Sequence, residues 1–254
     1  MSYRTPNVRD PVYVAGMSDF TIKALTPETF DDFAALVERN KGMFASCWCT
    51  KFHPDCAEKG QSAEGNQALK QRLVADGIAH AALVYDGDRA VAWAEYGSPE
   101  ELPSIHHRKE YVATAERLPD YRVTCILVER GLRGQGLAAI ALRGAVELIA
   151  QSGGGLVEGY PHDTGGVRKK NSSFLYNGTR TMYEREGFTY DRPKGQGNCD
   201  SARGGPEHAR LNRSSAPRGD DGYPAPRRLY ESLGFSTIAR TCTLSSDLMA
   251  GSRD

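Results

Sequence analysis

Apolar and polar residues alternate over Phe20-Thr21-Ile22-Lys23-Ala24-Leu25, which predicts a half-buried strand. Thr26-Pro27-Glu28 then offers an N-cap, a proline at the first helical position and an acid in the first turn, so a helix is predicted to follow. Phe30, Phe33, Ala34 and Val37 form its apolar face, and Asn40-Lys41-Gly42 is its stop signal. Leu69, Leu73 and Gly77 mark a second helix over residues 63 to 76. Two apolar runs, 81–85 and 90–94, flank Asp86-Gly87-Asp88-Arg89 and predict an antiparallel hairpin. Residues 99 to 119, with Pro103, Pro119 and His106-His107-Arg108-Lys109, predict a surface connection with a short helix near 110–117. Val123-Thr124-Cys125-Ile126-Leu127-Val128 is β-branched and apolar, as a central strand should be. A wide apolar stripe over 137–151 predicts a mostly buried helix, closed by Gly153-Gly154-Gly155, and a further strand follows over 156–160.

This pattern fades after residue 190. Between Arg192 and Arg228 there are six Gly, five Pro and a single Leu, too little apolar area to offset the entropy of ordering. The expected organisation is therefore a domain over 17–190, a flexible Gly/Pro-rich linker over 191–228, and a C-terminal segment over 229–254. A strand over 236–244 is the candidate by which that last segment completes the sheet. Tyr183-x-x-x-Gly187-Phe188 recurs as Tyr230-x-x-x-Gly234-Phe235, a local duplication too short for a repeat architecture.

Lysine plus arginine number 32 and aspartate plus glutamate number 32, so no overall field favours nucleic acid or an anionic membrane. Without a spanning apolar stretch or a leader-like N-terminus, a cytoplasmic chain is expected. Six cysteines, at 47, 49, 56, 125, 199 and 242, then read as reduced thiols.

The chemistry concentrates at Arg133-Gly134-Gln135-Gly136-Leu137-Ala138, between the central strand and the buried helix. Such a junction binds anions, because unpaired N–H groups and the positive end of the helix dipole converge there. Gly134-x-Gly136-x-x-Ala139 also fits a dinucleotide fingerprint, with Glu158 as its distal acid. Against that, Glu129-Arg130-Gly131-Leu132-Arg133 intervenes after the strand and no further strand-helix-strand units follow. A P-loop is weaker still, since no Gly-Lys-Ser/Thr is present.

Val128-x4-Arg133-Gly134-Gln135-Gly136-Leu137-Ala138 resembles the acyl-CoA signature of the GNAT superfamily of acetyl-CoA-dependent N-acetyltransferases, and the order of elements from about residue 20 to 190 is similar to that family. The resemblance implies an α/β (α+β mixed) fold, a mixed twisted sheet splayed at a central strand and flanked by helices. It implies pantetheine along Ile126, Leu127 and Val128, the pyrophosphate on N–H groups of Gly134, Gln135, Gly136, Leu137, Ala138 and Ala139, and an added contact from Arg133. The N–H that polarises the acetyl carbonyl maps near Leu127 or Val128. Tyr183 matches the acid that protonates the departing thiolate, with Tyr230 as the second candidate. Where the family usually has Asn and Ala before that tyrosine, this chain has Tyr176 and Thr179.

A carboxylate in an apolar strand can take up a proton, which makes Glu158 the candidate base and Glu95 a candidate at the acceptor site, each also readable as a salt-bridged residue. Cys47-Trp48-Cys49 with His53 and Cys56 invites a zinc reading, but the spacing is not that of paired knuckles, and no metal is expected. Trp48 and Phe52 are expected instead to wall the acceptor. The implied reaction moves an acetyl group from acetyl-CoA to a primary amine of a small molecule or a protein. Nucleic acid and membrane are not expected partners, and a homodimer is left open. The contrasting reading is a CoA-binding regulatory or interaction module without turnover.

Overall fold

The computed structural model describes residues 12–13, 20–40, 46–54, 62–106, 108–115, 117–162, 176–191, 235–236 and 241–248. Almost all of the expected linker, with Tyr230 and Cys56, lies outside them.

In chain order the elements are β1 (Val12–Tyr13), β2 (Phe20–Ala24), α1 (Phe30–Arg39), α2 (Ala63–Ala75), β3 (His80–Asp86), β4 (Arg89–Gly97), α3 (Arg108–Thr114), β5 (Tyr121–Val128), α4 (Leu137–Gln151), β6 (Leu156–Gly159), α5 (Arg180–Arg185), β7 (Thr189–Asp191), β8 (Phe235–Ser236) and β9 (Thr241–Leu248). The sheet runs β1-β2-β3-β4-β5-β6-β9-β7, with β8 beside β9. All neighbours are antiparallel except β5 and β6. No helix among the described residues is long and apolar enough to cross a membrane.

Both faces of the central strands are covered, which explains their continuous apolar runs. Ala82, Val84 and Ala94 meet α4, through Ile140, Ala141, Ala145 and Val146 among others, in one buried cluster. Leu83, Tyr85 and Trp93 point to the opposite face and pack with Phe33, Leu36 and Val37 of α1 and Leu69 and Leu73 of α2. Ser62 caps α2 by accepting from the Gly65 N–H at 3.0 Å. The 99–119 connection is not a surface segment throughout: Leu102, Ile105 and Tyr111 are buried in the second cluster, and its helix starts two residues earlier than the pattern indicated.

Two irregularities open the sheet. Opposite β4, the register slips between Glu95 and Tyr96, so that Glu95 faces Cys125, Tyr96 faces Val123, and Thr124 is the extra residue of a bulge. On the other edge, β5 pairs with β6 only through Tyr121, Arg122 and Val123. Beyond Val123 the two parallel strands part.

Helix α4 carries one electrostatic anomaly. Oε2 of Glu147 is buried without a hydrogen-bond partner. Burial pushes this carboxyl up to about 7, against a weaker pull from Arg143. Because the folded-state value lies above the unfolded one, the protonated form stabilises the fold below about pH 4.5, and that contribution is lost as pH rises towards 7. Glu147→Gln is expected to remove this dependence and to add about 1–2 kcal/mol at pH 8, the full shift being discounted for partial exposure. Urea midpoints of both proteins from pH 4.5 to 8 check this; parallel profiles would contradict it.

Candidate functional site

β5 ends at Val128, and a 3-10 turn over Arg130–Leu132 brings the chain to the glycine segment. Nε of Arg133 donates to the Val128 carbonyl at 3.1 Å, fastening the loop to its strand. Gly134 and Gly136 have φ of +83° and +85°, the left-handed region that L side chains rarely adopt. A Cβ at either would meet nothing within 4 Å, so the backbone there faces open space. Gly136 caps α4, whose first turn contains no acid to offset the positive end of the dipole. The Ala139 N–H closes on the Gly136 carbonyl at 2.9 Å. It belongs to the helix, and the expected run of free donors is shortened to end at Ala138.

A groove of about 460 Å³ runs from this loop along the end of β5, lined by Ile126, Leu127, Val128, Arg133, Gly134, Gly136, Leu137, Ala138 and Ala139 on one side and by Tyr176, Gly178, Thr179, Thr181, Met182, Arg185 and Glu186 on the other. Its size suits an organic ligand. Of the residues expected to hold the coenzyme, Gln135 alone is not among its walls; Tyr183, the expected acid, is not among them either. Strand alternation settles which N–H groups face it. Glu129 N–H donates to the Val91 carbonyl of β4 at 2.9 Å, whereas Ile126 N–H donates to the Tyr176 carbonyl at 2.5 Å on the opposite edge. Leu127 therefore points its N–H at β4 and Val128 points its own into the splay, which removes Leu127 from the two carbonyl-polarising candidates.

Tyr183 stands in α5 behind Met182, its ring edge-on to Phe188 at 5.0 Å and fully buried. Thr179 caps that helix, accepting from the Met182 N–H at 3.3 Å. The Tyr183 ring lies over Gly159, the last β6 residue paired to β5, where a Cβ would fall well inside contact distance. Its hydroxyl is buried without a hydrogen-bond partner. Burial, then the nearby Cys125, push the phenol above its ordinary range. A buried orphan hydroxyl is costly unless something else satisfies it. Gly159→Ala is expected to cost about 1–3 kcal/mol by overpacking against this ring, less so in a Tyr183→Leu background. Urea midpoints of the four proteins measure the coupling; equal costs in both backgrounds would contradict the contact.

Glu158 is enclosed. Its Oε2 accepts from the Tyr111 hydroxyl at 2.6 Å and the Tyr160 hydroxyl at 3.1 Å, and it is opposite Arg122 in the strand register. It does not line the groove.

Glu95 is fully buried and bound on both oxygens: Lys70 Nζ donates to Oε1 at 2.8 Å and the bulged Thr124 hydroxyl donates to Oε2 at 2.8 Å. His53 Nε2 is 3.5 Å from Oε1, and His53 Nδ1 is 3.0 Å from the Glu101 carbonyl. Burial alone would raise the Glu95 carboxyl, but Lys70 and then His53 overbalance it and hold it at about 2. The residue expected at the acceptor site is thus the centre of an ion-pair network that pins the bulge. Trp48 is corrected in the same way, since it is buried between Phe30, at 6.5 Å, and Phe33, at 6.2 Å, as a core residue. Phe52 lies nearer the groove, 6.2 Å from the ring of Tyr176, which itself faces His162 at 5.6 Å. Sequence reasoning registered Tyr176 only as a departure from a family asparagine; it lines the groove and occupies the Ile126 donor. Among the described residues no group of three His, Cys, Asp or Glu side chains is placed to hold a metal ion.

No protein-family model matches the chain, and no curated protein does. Solved structures do. An acetyltransferase from Thermus thermophilus aligns at 16% identity over 70% of this chain and 91% of its own, with a TM-score of 0.38. A putative GNAT-family acetyltransferase from Desulfovibrio desulfuricans aligns at 19% identity over 68% and 86%, also at 0.38. A ribosomal L7/L12 alpha-N-protein acetyltransferase in complex with coenzyme A aligns at 13% identity over 72% and 85%, at 0.39. At these values the likenesses add nothing to the geometry of the site. The sheet order, the splay at β5 and the glycine loop that caps α4 make this chain similar in fold to the GNAT acetyltransferases.

Proposed function

We propose that the chain is an N-acetyltransferase that moves an acetyl group from acetyl-CoA directly to a primary amine in a ternary complex. One observation carries this reading: the groove joins an anion-receptive helix N-terminus to a splayed strand edge, and a buried hydroxyl without a partner, that of Tyr183, lies where the strands part. The backbone of residues 134–138 would hold the pyrophosphate, and the edge of Ile126 and Val128 the pantetheine. When bound, acetyl-CoA supplies a thioester carbonyl open to attack by a neutral amine.

The chain's own residues supply the rest. Val128 N–H faces the splay as a donor for developing negative charge. The Tyr183 hydroxyl is the proposed proton donor, held protonated by its burial. Glu158 is the proposed terminal proton acceptor, reached through Tyr160 or Tyr111. Arg133, fastened through Nε to the Val128 carbonyl and lining the groove, is the proposed added contact to the pyrophosphate.

A panel of small amines and amino-terminal peptides, assayed for acetyl-CoA-dependent thiol release, tests the reaction. Tyr183→Phe is expected to lower kcat by about 10²-fold with coenzyme affinity kept. Unchanged kcat would remove Tyr183 from the mechanism. Coenzyme binding with no thiol release across the panel would favour a regulatory module instead.

A further inference from the structure

A second cavity, of about 690 Å³, opens at the other end of α4. That helix has 15 residues, so about 22 Å of it separates the cavity from the glycine loop. Tyr96 of β4, Tyr121 of β5 and His80 of β3 line it. At Tyr121 the strands β5 and β6 are still paired, so the cavity is not an extension of the splay. Two glycines make room for its carboxylates. A Cβ at Gly97 would fall 2.9 Å from Oε2 of Glu101, and one at Gly155, whose φ is +143°, would fall 2.7 Å from the Asp120 side chain. A backbone donor then fixes each acid: Ser98 N–H reaches the same Glu101 oxygen at 2.7 Å, and Leu156 N–H reaches Oδ2 of Asp120 at 2.7 Å.

We propose that this cavity is a second ligand site, which takes a small aliphatic ammonium ion. Glu100, Glu101 and Asp120 line it, and no lysine or arginine does. Ser152 and Gly154 bring the carboxyl end of α4 to its wall, and that helix has no basic residue in its last turn to offset the negative end of its dipole. Tyr96 is the residue that calls for a ligand. It is only 7% exposed, and its ring stacks on His80 at 5.7 Å, yet among the described residues its hydroxyl makes no hydrogen bond. A phenol buried to this degree ordinarily has a partner. The surface it keeps faces the cavity, where its oxygen can accept from an ammonium N–H.

Charge selects a cation. Burial alone would raise the Glu101 carboxyl, but His80, at 3.3 Å, and the Ser98 N–H overbalance it and hold the acid below its ordinary value. Asp120 accepts from Arg117 at 2.8 Å and from the Leu156 N–H, both on Oδ2, which leaves Oδ1 for a ligand. Arg117 is itself exposed and not part of the wall. A bare metal ion does not suit the site, since no group of three His, Cys, Asp or Glu side chains among the described residues is placed to hold one. The volume is that of an organic ligand. Pro99, Leu118 and Pro119 add apolar surface for a methylene chain, and the two tyrosine rings are faces on which an ammonium rests favourably.

Titration calorimetry of the full-length chain with putrescine, in the absence of acetyl-CoA, provides the test. Saturable binding at one site is expected, weakened by added sodium chloride, and the neutral butanediol of the same length is expected not to bind. Tyr96→Phe keeps the ring, removes the hydroxyl and is expected to weaken binding by about tenfold, as is Glu101→Gln. Glu100→Gln, on an exposed side chain, takes the place of Glu101→Gln if that variant does not fold. Tyr183→Phe and Gly136→Val are expected to bind putrescine as the unmodified chain does, which separates the cavity from the groove. The site is overturned if putrescine gives no saturable heat at millimolar concentration, or if butanediol binds as well. It is overturned equally if Tyr96→Phe and the glutamate variant keep full affinity, or if affinity is lost in Tyr183→Phe or Gly136→Val instead. None of these readouts depends on acetyl transfer.

Discussion

Lys70→Met is expected to lower the unfolding free energy by about 3–5 kcal/mol, because it leaves the Glu95 carboxylate charged, buried and without its cation. Lys70 and Glu95 are both fully buried, with the ammonium 2.8 Å from the carboxylate. Burial would depress the lysine, but Glu95 overcomes it and raises the ammonium's pKa, so both partners carry charge. The double variant Lys70→Met/Glu95→Gln is expected to recover a substantial part of the loss, since no unpaired charge remains. Urea denaturation with unchanged m-values measures both. A single-variant cost under about 1 kcal/mol, or no recovery in the double variant, would contradict a structural ion pair at the bulge.

That pair shows where sequence reasoning stops. Glu95 was visible as a carboxylate in an apolar strand, but Lys70 lies on a helix marked in the sequence only by Leu69, Leu73 and Gly77, and His53 was weighed only as part of a metal motif. Only the packing of α2 and the 46–54 turn over β4 brings them together. Local signals performed well where local physics decides. The Asp-Gly hairpin and the glycines before α4 are short-range choices of φ and hydrogen bonding, and the structure follows them; Thr26-Pro27-Glu28 instead opens a 3-10 turn over Pro27–Thr29, and α1 begins after it with Thr29 at its N-cap. Tyr183 was legible from a motif, and Gly159 only as one position of a strand over 156–160. Their contact was not, because it depends on β5 and β6 parting after Val123. Trp48 misled for a related reason, as an aromatic in a polar segment looks like a binding wall until the helix beneath it supplies Phe30 and Phe33.

Gly136→Val is expected to weaken coenzyme binding by about 100-fold. A β-branched residue at φ +85° costs about 1–2 kcal/mol. Losing even one well-aimed donor to a phosphate adds about 1.5–3 kcal/mol, and roughly 3 kcal/mol together corresponds to two decades of affinity. Gln135→Val is the control. Its side chain is exposed and outside the groove walls, and affinity is expected to stay within about twofold. Titration calorimetry on the folded proteins separates the two. Equal losses at both positions would mean that the loop tolerates no change at all, and equal retention would mean that no phosphate rests on it.

The most direct measurement is the melting temperature of the unmodified chain with and without acetyl-CoA. A ligand that binds only the native state at about 100 times its Kd adds about 2.7 kcal/mol, a rise of roughly 5–10 °C for a domain of this size. A seat on the glycine loop predicts a saturable rise of that order, much reduced in Gly136→Val and kept in Gln135→Val. No rise at millimolar acetyl-CoA, or a rise indifferent to Gly136→Val, would contradict it.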